Sequence, residues 1–248
     1  MKTVDYSVEG PVALVVLNRP EKKNAINHQM REDVHAALID IRDNEDVWVA
    51  VLTGAGSTFS TGHDLSETLA GTPTVDQLYE LQHSIFKPLI AAINGACLAQ
   101  GCGLALGCDI LVAGEQAFFG WPQVKRGICS VSGPTLLARK IPLNIAMEYL
   151  LTGEFLGAQE ALALHLVNHV VPSGDVRARA FEMAHKIAAN APLAVRAMKE
   201  ATLRTLPMRP DDAYRYATQL LRELERTEDA QEGSRAFLEK RAPVWRGR

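Results

Sequence analysis

Residues 92–114 read AINGACLAQGCGLALGCDILVAG, and the order of residue types in this stretch sets the fold class. Leu89 to Ile93 just ahead of it is a short apolar run of strand length, closed by the turn pair Asn94-Gly95. Small residues follow, Leu104 to Gly107 reads as helical, and Ile110 to Ala113 returns to a β-branched, strand-like run. Strand, glycine turn, helix and strand in that order describe a crossover between parallel strands, hence an α/β architecture. The region from Leu89 to Ala113 is also the most apolar part of the chain. Asn94, Gln100, Asp109 and several glycines interrupt it, so it does not read as a membrane span.

The same alternation extends upstream. Val12 to Leu17 (VALVVL) is a buried strand stopped by Asn18-Arg19-Pro20. Asn27 is placed to cap a helix over 28–42, in which Met30, Val34, Ala37, Leu38 and Ile41 recur at helical spacing. Val47 to Leu52 is a second buried strand, and a helix over 74–86 precedes Pro88. From residue 143 onward the pattern becomes helical, over 144–151, 158–166, 177–190, 192–204, 211–227 and 229–239, with Pro172, Pro192 and Pro207 as punctuation. Leu, Ala and Tyr fall on several faces of these helices, which suits either a subunit interface or the chain's own core.

The bulk numbers exclude several classes of partner. The chain has 248 residues, 47% hydrophobic and 22% charged, with a formal net charge of -3, an ordinary globular balance. That charge gives no reason to expect nucleic acid or an anionic membrane. The basic pairs Lys22-Lys23, Lys125-Arg126 and Lys240-Arg241 are too short for a nucleic-acid stripe. Cys97, Cys102, Cys108 and Cys129 fit no metal-ligand spacing, so no metal is expected, and they read as small apolar packing residues in a reducing compartment. Met1-Lys2 runs directly into a strand-like stretch without an apolar signal core, and a cytoplasmic location is expected.

Two loops have the composition of a site. Phe59-Ser60-Thr61-Gly62-His63-Asp64-Leu65 follows a strand and a glycine turn. Asn94 to Gly103 follows another strand and opens a helix. Turns of small residues expose backbone N–H groups, and two of them side by side are able to clamp one developing oxyanion. Gly101, Gly103 and Gly107 spell G-x-G-x-x-x-G, but the strand ends too early for the tight turn of a dinucleotide loop. Gly127 to Gly133 holds serines without forming G-x-S-x-G, and a Cys129 nucleophile would need a histidine beside it.

Taken in order, Asn18-Arg19-Pro20, Asn24-Ala25-Ile26-Asn27, FSTGHDL (59–65), residues 92–114 and FFGWPQVKRGI (118–128) resemble the motif series of the enoyl-CoA hydratase (crotonase) superfamily. The resemblance continues through Leu151-Thr152-Gly153-Glu154, Ala158-Gln159-Glu160-Ala161 and Val170-Val171-Pro172 to Phe237–Trp245, and so covers nearly the whole chain. Each motif alone is weak; their order and spacing are specific. The resemblance implies an α/β, crotonase-like spiral of ββα turns with a C-terminal helical trimerisation region. Residues 1–190 are then the spiral core and 191–248 the helical region. It implies a homotrimer or dimer of trimers acting on an acyl-CoA, with coenzyme A part of the substrate and no covalently bound cofactor.

Carried over by position, the oxyanion donors are the backbone N–H groups of His63 and of Gln100, five residues after Gly95. The family has glycine where Gln100 stands, so a positive φ there is expected to be strained. Lys22, Lys23 and Ala25 match the stretch that meets the CoA phosphates and adenine, and Asp64 and Leu65 lie beside the adenine. Phe237 and Lys240 match residues that reach the nucleotide of a neighbouring subunit, where a lysine serves as a point charge for phosphate.

The departures bear on the reaction. Hydration uses two carboxylates that hold one water and move its protons. At those positions this chain has Gly103 and Gln123. Losing one general acid or base costs about 10²–10⁴-fold, so efficient hydration is not expected. CSVSGP (129–134) and QEGSRAFLEKRAPVW (231–245) resemble a hydratase-domain branch that also lacks both glutamates. His63 is the titratable candidate to replace them, since a neutral imidazole acts as a base near neutrality; the alternative is that only its backbone acts and its ring points at solvent or CoA. Gln123 either orients a substrate or water or simply packs, and Ser130 and Cys129 occupy a segment where other members vary their catalytic groups. Phe119 and Trp121 shape the acyl pocket, and Asp109 is structural. The expected activity is that of a lyase or isomerase passing through a thioester enolate, by decarboxylation, isomerisation or carbon–carbon cleavage. The alternatives are a non-catalytic CoA-thioester binder and a NAD-dependent oxidoreductase.

Overall fold

The computed structural model describes residues 3–67 and 73–248, so Met1 and Lys2 of the expected N-terminal strand lie outside the described residues. Strands β1 (Val4–Glu9) and β2 (Val12–Leu17) form an antiparallel hairpin that turns at Gly10, where φ is 55°. Three ββα turns then follow a first helix, α1 (His28–Asp43). They are β3 (Val49–Gly54), β4 (Thr58–Ser60) and α2 (Val75–Ser84); β5 (Leu89–Ile93), β6 (Ala96–Leu98) and α3 (Gln100–Leu106); and β7 (Ile110–Gly114), β8 (Phe118–Gly120) and α4 (Ser132–Leu136).

Each turn sends its long strand to one sheet and its short strand to another. The larger sheet is six-stranded in the order β1-β2-β3-β5-β7-β10, with β10 at His169–Val171, and is parallel from β2 onward. The smaller is four-stranded in the order β4-β6-β8-β9, with β9 (Phe155–Gly157) antiparallel at its edge. This is the crotonase-like ββα spiral expected from the sequence. β3 and β5 are buried along their whole length, because helices and the second sheet cover both faces. Their side chains divide between two clusters. One, holding Leu52, Phe59, Ile93 and Phe119, lies toward the short strands. The other, holding Val49, Val51, Ile90 and Val112, packs against α7 (Val176–Ala188).

The helix signals work as the capping chemistry predicts. The Asn27 side chain accepts from the Met30 N–H at 3.0 Å, and α1 buries Met30, Val34, Ala37, Leu38 and Ile41. Thr74 and Gln77 form a reciprocal capping box at α2. Downstream lie α5 (Leu143–Thr152), α6 (Ala158–Ala163), α8 (Pro192–Thr205), α9 (Pro210–Leu224) and α10 (Glu228–Glu239), within a few residues of the expected ranges. Asp109 is structural, as expected: its carboxylate accepts from the Leu89 N–H at 2.7 Å and pairs with Lys199 of α8 at 2.7 Å. Among the described residues no helix is long and apolar enough to cross a membrane.

Two expectations need correction, and four short strands were not expected at all. The strand expected at 47–52 is shifted to Val49–Gly54. The short strands β4, β6, β8 and β9 have too few residues to show a period, and only their pairing reveals them. Helix α3 begins at Gln100 rather than Leu104. Glycine weakens a helix in isolation, yet a Cβ at Gly101 would lie 2.7 Å from the Ser60 carbonyl oxygen. Close packing therefore requires the glycine that local propensity counts against.

Candidate active site

Two strand-ending turns meet at the centre of the spiral. The first leaves β4 through Gly62, where φ is 87°. It is pinned to the 24–27 segment by the Ile26 N–H donating to the Gly62 carbonyl at 2.7 Å and the Asp64 N–H donating to the Ile26 carbonyl at 3.0 Å. The second leaves β6 through Ala99 and opens α3 at Gln100. A Cβ at Gly62 would stand 2.7 Å from the Ala99 Cβ and 3.1 Å from the Gln100 nitrogen. The turns thus touch through a glycine that tolerates both the left-handed backbone and the contact. The N–H groups of His63 and Gln100 lie at this junction, and neither donates to any acceptor among the described residues.

Strain is present here, but at a different residue from the one expected. Gln100 takes helical backbone as the first residue of α3, and the left-handed φ falls on Ala99, at 53° with ψ -114°. A non-glycine residue held there costs on the order of 1–3 kcal/mol, sustained only by surrounding contacts. Those contacts are visible. The Ser132 hydroxyl donates to the Ala99 carbonyl at 3.2 Å, and the Tyr79 hydroxyl donates to the Gln100 carbonyl at 3.3 Å. Ser132 in turn accepts from the Trp121 indole N–H at 3.1 Å and lies 3.4 Å from the Ser130 hydroxyl.

Tyr79 and Ser132 are functional candidates that the sequence reading missed. Tyr79 looks like one more apolar position of α2, and its partner lies beyond reach of any local pattern. A Cβ at Gly103 would collide with the Tyr79 hydroxyl and ring, so the absent side chain at 103 is the space that Tyr79 fills. Burial pushes the Tyr79 hydroxyl above the ordinary tyrosine range, with a hydrogen bond to Ser132 opposing that shift.

The expected residues are distributed unevenly around this junction. The His63 ring donates through Nε2 to the Glu67 carbonyl at 3.0 Å, an assignment the carbonyl acceptor dictates, and its buried Nδ1 has no partner. The side-chain amide of Gln100 is buried with both polar atoms unpartnered, and Gln123 has an unpartnered buried Oε1. Such groups are costly unless a ligand or water meets them. Ser130 accepts from the Gly133 N–H at 3.1 Å, so its oxygen is partly committed to the backbone. Cys129 is exposed. Phe119 and Trp121 are fully buried.

At the rim, Lys22, Lys23, Ala25 and Leu65 flank the first turn, with Thr61 donating to the Lys23 carbonyl at 3.2 Å. Asp64 faces inward. It accepts from Arg19 at 2.9 Å and from the Ser66 hydroxyl at 2.7 Å. The Ser66 hydrogen bonds foremost, and then Arg19, pull its carboxyl down to about 2. Arg19 also donates to the Ala25 carbonyl at 2.7 Å, so this pair ties the rim together. Phe237 and Lys240, at the end of α10, are not joined to these turns by any hydrogen bond or ion pair among the described residues, and Phe237 is 84% exposed. A separate cavity of about 1530 Å³ lies between α2 and α8, lined in part by His83, Lys140, Met198 and Leu206. It contains none of the residues of the two turns.

A spiral of ββα turns that sends its long and short strands to two sheets is the architecture of a superfamily of enzymes acting on CoA thioesters. Residues 7–248 match the family profile Enoyl-CoA hydratase/isomerase, and the chain belongs to that family. It is 40% identical to the (E)-benzylidenesuccinyl-CoA hydratase of Thauera aromatica, over 98% of this chain and 99% of that one. It is 39% identical to the 2,3-dehydroadipyl-CoA hydratase of Escherichia coli K12, over 100% of both. The crystal structure of enoyl-CoA hydratase from Mycobacterium tuberculosis H37Rv superposes with a TM-score of 0.94 at 35% identity, covering 100% of both chains.

Proposed function

We propose that this chain binds an acyl-CoA, holds the thioester carbonyl oxygen between the His63 and Gln100 N–H groups, and stabilises the enolate that forms. The observation that supports this reading is the close packing of Gly62 on the Ala99–Gln100 turn, with the N–H groups of His63 and Gln100 unpartnered next to that contact. Donors fixed in advance where charge develops are worth about 10²–10³-fold each in rate. Decarboxylation, isomerisation or carbon–carbon cleavage follows from an enolate without a carboxylate pair. Assignment to a branch lacking that pair rests on Gly103 and Gln123.

A second reading, hydration or dehydration of an enoyl-CoA, is favoured by the names of the relatives, which are hydratases and dehydratases. A panel of malonyl-type, enoyl-type and dienoyl-type CoA thioesters, with products identified by mass spectrometry, separates the two. Turnover of a malonyl-type or dienoyl-type substrate without appreciable hydration of crotonyl-CoA is expected. Rapid hydration of crotonyl-CoA would transfer the chain to the second reading. Tight binding with no turnover across the panel would leave a non-catalytic binder.

Lys22, Lys23, Ala25 and Leu65 are assigned to the nucleotide part of CoA, and Asp64 to holding the loop that carries Leu65. Phe237 and Lys240 are assigned to a neighbouring subunit's nucleotide. Self-association, as a homotrimer or dimer of trimers, is supported by exposed apolar residues on the C-terminal helices, Leu206 at 76% and Leu238 at 81% among them.

A further inference from the structure

We propose that the Tyr79 hydroxyl is the proton donor to the substrate's α-carbon, acting from the space left by the missing side chain of Gly103. This rests on the enolate reading above. A ring alone would fill the gap between α2 and α3 as phenylalanine. The hydroxyl is instead placed among polar groups: it donates to the Gln100 carbonyl at 3.3 Å, and the Ser132 hydroxyl lies near enough to oppose the effect of burial on its titration. Gln100 is also the residue whose N–H is a candidate oxyanion donor, so the phenol and the carbonyl clamp share one residue. The Gln100 side-chain amide, 6% exposed, is unpartnered and available to a polar ligand.

The chemistry suits a donor in the forward step, and by microscopic reversibility the minor phenolate form of the same group takes the α-proton in the slower reverse exchange. A tyrosine raised by burial stays protonated through the physiological range, while the carbon acid next to a thioester is weaker still, so transfer to the enolate runs downhill. In the step the enolate's electron pair forms a C–H bond as the Tyr79 O–H bond breaks. The thioester carbonyl is restored, and the negative charge passes to the phenolate. Ser132, turning its O–H from the Ala99 carbonyl, then returns a proton and is itself refilled by Ser130 at 3.4 Å; Ser130 is half-buried and takes its proton from water. The two serines therefore recharge the donor, whereas Ser132 alone also braces the strained Ala99 carbonyl.

The test is exchange of the α-protons of butyryl-CoA with deuterium from solvent, read by mass spectrometry. It is paired with the red shift of a dimethylaminocinnamoyl-CoA, whose absorbance reports carbonyl polarisation. For Tyr79→Phe, exchange is expected to fall by about 10²–10⁴-fold while the red shift persists. Exchange within about threefold of the parent, with the variant folded, overturns the proposal. Absence of the red shift in the parent protein sinks the enolate reading itself, and absence of exchange there removes the donor step with it. Should Tyr79→Phe fail to fold, 3-fluorotyrosine at position 79 keeps the ring and hydroxyl while making the phenol more acidic. A changed exchange rate is expected, and an unchanged one overturns the proposal.

Discussion

Tyr79 and Gly103 exclude one another's alternatives: the phenol of the first occupies the volume that any Cβ on the second would need. Tyr79 comes from α2 and Gly103 from the second turn of α3, so the pair fixes how the two helices meet. Overpacking such a contact costs typically about 1–3 kcal/mol. Gly103→Ala is therefore expected to destabilise the protein by about that amount despite the better helix propensity of alanine. In a double-mutant cycle with Tyr79→Ala, the combined loss should be smaller than the sum of the single losses. Chemical denaturation measures all three variants. An alanine at 103 that leaves stability unchanged or raised would show that Tyr79 does not hold this place.

Gly62 bears on the function more directly. Its φ of 87° disfavours any side chain, and a Cβ there would press on Ala99 at 2.7 Å and on the Leu98 carbonyl at 2.9 Å. Gly62→Ala is expected to push the two turns apart, with a stability cost of about 1–3 kcal/mol. Turnover of the substrate found in the CoA panel should fall by about 10²–10³-fold, because the donors no longer address one oxygen. Steady-state kinetics and the red shift of the chromophoric thioester check this together. Full activity alongside the stability loss would separate the glycine from the clamp.

Asp64 sets a pH dependence. Its carboxyl is held at about 2 in the fold against an ordinary value of 3.8, so the unfolded chain binds its proton more readily. A depressed folded-state value stabilises the protein above the ordinary value, and that contribution is lost as pH falls from about 4 toward 2. Asp64→Asn should be less stable than the parent at neutral pH, and the gap between them should close in that acid window. Melting curves at a series of pH values follow the difference. A gap independent of pH would mean that the Arg19 and Ser66 contacts act through geometry alone.

Much of this molecule is legible one segment at a time. β2 and β5 coincide with their apolar runs, and Asn27 caps α1 as its side chain predicts. The order of motifs from Asn18 to Trp245 carried the family, since it records the succession of turns in the spiral. His63 and Gln100 were singled out as candidate donors because the motif resemblance carries them over by position, next to Gly62 and five residues after Gly95. The smaller sheet was not readable, because β4, β6 and β8 are each three residues long and carry no repeating pattern. The placement of the positive φ at Ala99 was likewise invisible, as it follows from packing against Gly62 and bracing by Ser132.

Local periodicity, capping and turn chemistry in the sequence determined the α/β class, the order of the long strands and helices, and the positions of the two small-residue turns, because those signals act within a few residues. Tertiary structure alone decided which side chain occupies the room beside Gly103 and which hydroxyls brace the strained turn. Tyr79, Gly103 and Ser132 lie on different elements, and only the stacking of successive turns brings them into contact. The sequence shows a glycine at 103; the fold shows the Tyr79 phenol filling the space beside it.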